Sequence, residues 1–133
     1  MAVGRQDYQA GVVPIKSGYS LVQSSFFKWF NKDVATGATE GFCTYTVGVG
    51  YQLNLAGYRI VATLPFLHHM GLYINGAQVF GREFYTEVLD NFPEGVTMTI
   101  NAGQEFEIRI TNQDTVTVKF YATIYGYLEQ IES

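Results

Sequence analysis

At 133 residues the chain has the length of one domain, and 47% hydrophobic residues give it enough apolar surface for its own core. A net charge of −4 with no block of Lys or Arg lacks the basic footprint that phosphate neutralisation needs, so no nucleic-acid partner is expected. Charged residues make up only 15%, against about 25% in ordinary soluble domains, which favours a protein that another chain partly covers.

Residues Met1 to Gly18, with Gly11, Pro14 and Gly18 as breakers, read as an extended arm. They contain no apolar segment of the secretory kind, and no later apolar run is long enough to span a bilayer, so synthesis in a cytoplasm and no membrane partner are expected. Residues 19–133 read as a single domain. "YSLVQSSFFKWF" is its first long strand, with Phe27 and Trp29 on one face and Phe26 and Phe30 on the other. A strand with water on one side is not expected to be bulky on both.

After the turn "TGATEGF", the strand "GFCTYTV" alternates Phe42, Thr44 and Thr46 against Cys43, Tyr45 and Val47. Cys43 cannot form an internal disulfide, being the only cysteine, and reads as a small buried hydrophobe. "TVGVGYQ" lacks the helix and lysine of a phosphate cradle and reads as a bend leading into a strand from about Gln52 to Thr63.

His68 and His69 are adjacent. They fall short of a metal ligand set and are expected in a loop or at a strand edge. Asn75-Gly76 between two apolar runs marks a two-residue hairpin. "REFYTEVLDNF" is expected to be extended or at most one helical turn. "QEFEIRIT" turns Phe106, Ile108 and Ile110 inward and Glu105, Glu107, Arg109 and Thr111 outward.

The chain closes on "TVTVKFYATIYGYLEQ". Val116, Val118, Phe120, Ala122, Ile124, Gly126 and Leu128 form its core face, and its outer face changes from Thr115, Thr117 and Lys119 to Tyr121, Tyr125 and Tyr127. About eight to ten strands joined by short turns predict an all-β fold, an antiparallel β-sandwich of jelly-roll type, with a barrel as the alternative.

No catalytic constellation emerges. The twelve carboxylates are scattered; the nucleophile elbow, Walker loop and dinucleotide-binding glycine pattern are all missing. Lys28 between aromatics reads as a surface lysine whose stem lies on apolar neighbours. The sequence therefore predicts no enzyme, no cofactor and no bound metal. The unusual positions are aromatic: Phe26, Trp29, Phe30, Tyr121, Tyr125 and Tyr127 are the candidate interface residues, because Tyr and Trp join an apolar body to a polar tip. The competing reading is that tyrosine and threonine simply suit exposed strands.

"LYINGAQVF" followed by "TMTINAGQEFEIRITNQDTVTVKFYATIYGYLE" resembles small β-sandwich structural proteins of tailed-bacteriophage particles, over roughly Leu72 to Glu129. The resemblance implies a head decoration, or cement, protein on the virion's capsid surface, often a homotrimer, with the major capsid protein as its partner. It brings no enzymatic residues. The alternative is a receptor-binding or fibre-associated module of the same kind of particle that recognises a host glycan.

Overall fold

The computed structural model describes residues 12–14, 22–93 and 97–131. Of the expected arm, only Val12 to Pro14 falls within them. The strands are β1 (Val12–Pro14), β2 (Val22–Val34), β3 (Thr39–Thr46), β4 (Tyr51–Ala62), β5 (Leu67–Ile74), β6 (Ala77–Tyr85), β7 (Glu87–Asn91), β8 (Met98–Ile100), β9 (Glu105–Thr111) and β10 (Val118–Gln130). Every pairing is antiparallel.

The front sheet runs β1-β2-β10-β4, and β4 continues to β7 along one half of its length and to β8 along the other. The back sheet runs β6-β5-β9-β3. The chain changes sheet between β2 and β3, β3 and β4, β4 and β5, β6 and β7, β8 and β9, and β9 and β10. That is the path of a jelly roll, and it settles the sandwich against the barrel. One bridge, Tyr85 to Glu87 around Thr86 (φ 67°), joins the sheets on one side. On the other side, the β2 and β3 edges are not paired with each other.

Local chemistry explains the elements. Asn75 and Gly76 both have positive φ, 52° and 79°, as a type I′ hairpin requires. "REFYTEVLDNF" is extended, split into β6 and β7 at Thr86. Phe106, Ile108 and Ile110 are fully buried, as their alternation predicts. Phe120 lies at the centre of the core, with Phe42, Phe84 and His68 around its ring at 6.4, 6.4 and 4.8 Å.

Three expectations change. In β3, a bulge between Phe42 and Tyr45, with Cys43 at φ 55°, breaks the alternation and turns both Phe42 and Cys43 into the core. Val116 precedes β10 and is 48% exposed, so it is no core residue. The two histidines lie within β5, where opposite faces separate them: His68 is fully buried and His69 half-buried, opposite Glu83.

In β4, Ala56 is an extra residue. Tyr125 pairs with Gly57 and Gly126 with Leu55, so the inward set shifts from Tyr58, Ile60 and Ala62 to Leu53 and Leu55. The Ala56 carbonyl accepts a bond from Phe92 N–H at 2.9 Å, at the point where β7 gives way to β8.

His68 occupies a box of Phe66, Phe84 and Phe120 rings, 5.7, 5.8 and 4.8 Å away. Its Nδ1 accepts from Gln113 N–H at 3.2 Å, which leaves the proton on Nε2, and Nε2 has no partner. Burial lowers its pKa below 6.5, against the opposing pull of Asp114 and the Leu64 backbone. The unfolded chain therefore takes up this proton first as pH falls. The stabilising contribution is complete above about pH 6.5 and is lost as pH drops below it. Thermal melts at pH 7.5 and 5.5 should show a lower Tm at the acid value. His68→Gln should reduce that difference.

Candidate functional site

The outer face of the front sheet carries the unusual chemistry. Strand alternation sends Phe27, Trp29, Asn31 and Asp33 of β2 to this face, with Lys119, Tyr121, Thr123, Tyr125 and Tyr127 of β10 beside them. The ladders arrange these side chains in rows. One row is Asn31, Tyr121, Val61 and Glu87. The next is Trp29, Thr123, Arg59 and Leu89, and the third is Phe27, Tyr125, Gly57 and Asn91.

Phe27 is 68% exposed, Trp29 53% and Leu89 52%, while the three tyrosines are half-buried. Trp29 leans on Tyr121, with ring centroids 6.1 Å apart. Arg59 donates its Nε to Glu87 at 2.7 Å. Trp29, Arg59, Val61, Tyr121 and Thr123 surround a dent of about 230 Å³. Tyr125 lies across Gly57, and its hydroxyl donates to Asn91 Oδ1. Burial, followed by the charge of Asp90, pushes the Tyr125 pKa up.

Of the six candidate interface residues, Trp29, Tyr121, Tyr125 and Tyr127 share this face. Phe26 and Phe30 do not, because their parity in β2 turns them to the inner side. Phe26 packs on Tyr45 at 4.8 Å, and Phe30 meets Phe42 edge-on at 5.8 Å. Phe27, Arg59, Val61 and Leu89 complete the face. Phe27 was legible from its parity with Trp29. The other three depend on which strands flank β10, which the sequence does not state.

The opposite outer face is mostly polar, apart from the exposed cross-strand pair Leu67 and Tyr85 at one end. Arg109 stacks on Tyr73 at 4.1 Å and donates to Glu107 at 2.7 Å, and the Thr39 and Thr111 hydroxyls meet at 2.7 Å. His69 and Glu83 stand beside them.

Groups with chemical potential lie elsewhere. Cys43 is buried behind a cleft that Lys28, Phe30 and Lys32 also line, and desolvation pushes its thiol up to about 12, so it is protonated at neutral pH. At the β6–β7 edge, a cleft of about 390 Å³ is lined by Leu72, Phe80, Phe92 and Met98. There the Tyr58 hydroxyl donates to Asp90, whose other neighbour is Arg82 at 3.5 Å. Among the described residues, no three His, Cys, Asp or Glu side chains converge as a metal site would need. No helix among them is long and apolar enough to cross a membrane. Comparison with protein-family models and with curated proteins finds no match.

Proposed function

We propose that the chain is a non-enzymatic decoration, or cement, protein of a tailed-phage virion, which binds the outside of the capsid and stabilises it through contacts with its own copies and with the major capsid protein. One observation carries the reading: the two outer faces of the sandwich differ in kind. The back face is mostly polar, with Arg109 paired to Glu107 and with Leu67 and Tyr85 exposed at one end. The front face presents Phe27 and Trp29 on β2 and Leu89 on β7, with Tyr121, Tyr125, Thr123 and Arg59 between them, an aromatic-rich composition found at protein contact surfaces. A tile that adheres on one side and faces solvent on the other is what bracing a shell requires. The resemblance of Leu72 to Glu129 to phage sandwich proteins supplies the kind of shell.

Trp29 is the chain's single tryptophan and lies in the patch, so it reports directly on the test. Mixed with undecorated capsids, the chain should co-sediment with them and its emission should move to shorter wavelength. Failure to co-sediment would sink the reading.

A second reading, a module that recognises a host glycan, draws on the dent, where the Trp29 and Tyr121 rings stand beside the Arg59–Glu87 pair. A glycan panel without a hit removes it.

A further inference from the structure

We infer that the open edge of β2, from Ser25 to Val34, is the docking site of the chain's own residues 1–11, which continue β1 along it as an added antiparallel strand.

Direction comes first. β1 occupies the start of that edge, with Val12 opposite Ser24, Val13 opposite Gln23 and Pro14 opposite Val22. Each step upstream from Val12 therefore moves one residue further along β2, toward Val34. Residues 1–11 at ~3.3 Å each are long enough to follow the edge, which measures roughly 33 Å. Among the described residues, no other strand pairs with it.

The register then sets the contacts. Even-numbered side chains of the segment would turn inward with Phe26, Lys28, Phe30 and Lys32, and odd-numbered ones outward with Phe27, Trp29, Asn31 and Asp33. The inward side has room to fill. Phe30 faces inward yet is 39% exposed, because the β2 and β3 edges stand apart around a cleft of about 310 Å³. Lys28 and Lys32 line the same cleft.

A strand laid here must leave Lys32 its bond to Glu40, and it must not seal Lys28 away without a partner. Residues 1–11 meet both demands. Gly4 falls opposite Lys32 and sets no side chain over the ammonium. Tyr8 falls opposite Lys28 and diagonal to Phe26 and Phe30. Its ring offers Lys28 a cation–π face and covers the exposed side of Phe30, while its hydroxyl reaches water. On the outward side, Arg5 falls opposite Asn31 and one diagonal step from Asp33, within reach of a long side chain. A second copy's β2 fails the same demands, since it would bring two more lysines to the inward side. The docking lies within one chain and does not depend on what the aromatic front face binds.

Cysteine pairs in the full-length chain test the register. Residues directly opposite on antiparallel strands have Cα atoms about 4.5–5.5 Å apart, whereas a shift of two residues carries them beyond the roughly 7 Å that a disulfide spans. With Asn31→Cys, oxidation should link Arg5→Cys within one chain at least about tenfold faster than Val3→Cys or Asp7→Cys. Native Cys43 is buried and stays out of the reaction. Equal rates at the three positions, a faster link from Val3→Cys or Asp7→Cys, or a link between copies overturns the inference. Hydrogen exchange gives a second measurement without added cysteines. Gln6→Pro combined with Asp7→Pro removes an N–H aimed at β2 whichever of the two residues carries it. The β2 amides that point away from β10 should then exchange about tenfold faster or more, with β4 and β9 unchanged. Exchange along β2 that is the same in the double variant and the wild type overturns it as well.

Discussion

Gly126→Ala is expected to cost the fold about 3 kcal/mol and to lower Tm by roughly 10 °C or more. The reason is contact. A Cβ at Gly126 would lie 2.1 Å from the Asn54 carbonyl oxygen and 2.9 Å from both Ala56 N and Leu55 Cα. All three are backbone atoms of β4, held on their other side by β8 and by the Ala56–Phe92 bond, so none can give way cheaply. The extra residue in β4 presses that strand against β10 at this point, and only glycine fits there. Gly37 provides the comparison: a Cβ there would meet nothing within 4 Å, but its φ is +74°. Gly37→Ala should cost only about 1 kcal/mol, the ordinary penalty for a left-handed conformation. Urea melts of the two variants beside the wild type measure the difference, and a Gly126→Ala midpoint close to that of the wild type would contradict the account.

Asn112→Asp exchanges an amide for a carboxyl of nearly the same shape and should destabilise by about 3 kcal/mol or more. Asn112 is fully buried. Its Nδ2 donates to the carbonyls of Val34 and Val116, each at 2.8 Å, and its Oδ1 accepts from Asp114 N–H at 2.8 Å. The side chain therefore ties the end of β2 to the loop before β10 and satisfies three backbone groups from a fully buried position. An aspartate would set an oxygen against two carbonyl oxygens. Protonation restores one donor, so the loss relative to wild type at the same pH should shrink as pH falls toward 4. Asn112→Ala leaves the same groups unpaired without adding charge. It should cost about 2 kcal/mol, with little change in that difference across pH.

These two sites mark where the sequence was legible and where it was not. Period-two alternation gave β9 and the inward face of β10 as far as Ile124, and the Asn75-Gly76 pair gave the hairpin, because each depends on residues close in sequence. The bulges at Cys43 and Ala56 broke that rule. Whether an extra residue is tolerated depends on the facing strand, not on its own neighbours. The role of Asn112 was not legible, since its three partners are defined only after β2 and β10 come together. The aromatic face was half legible. The tyrosines of β10 and Trp29 stood out by their chemistry, but assigning Phe26 and Phe30 to the same surface ignored the parity that sends Phe27 outward instead. Arg59, Val61 and Leu89 join the face only because β4 and β7 follow β10 in the sheet.

On the β2 edge, Ser25 to Val34 have no strand partner on the side away from β10 among the described residues. An unpaired edge of ten residues rich in Phe and Trp is a template for runaway polymerisation. Here Lys28 and Lys32 alternate with Phe26 and Phe30 on the inward side, and Lys32 is held at 3.2 Å by Glu40 of β3. A strand added to this edge would shut two ammonium groups away from water. The edge is thus guarded against growth into fibrils.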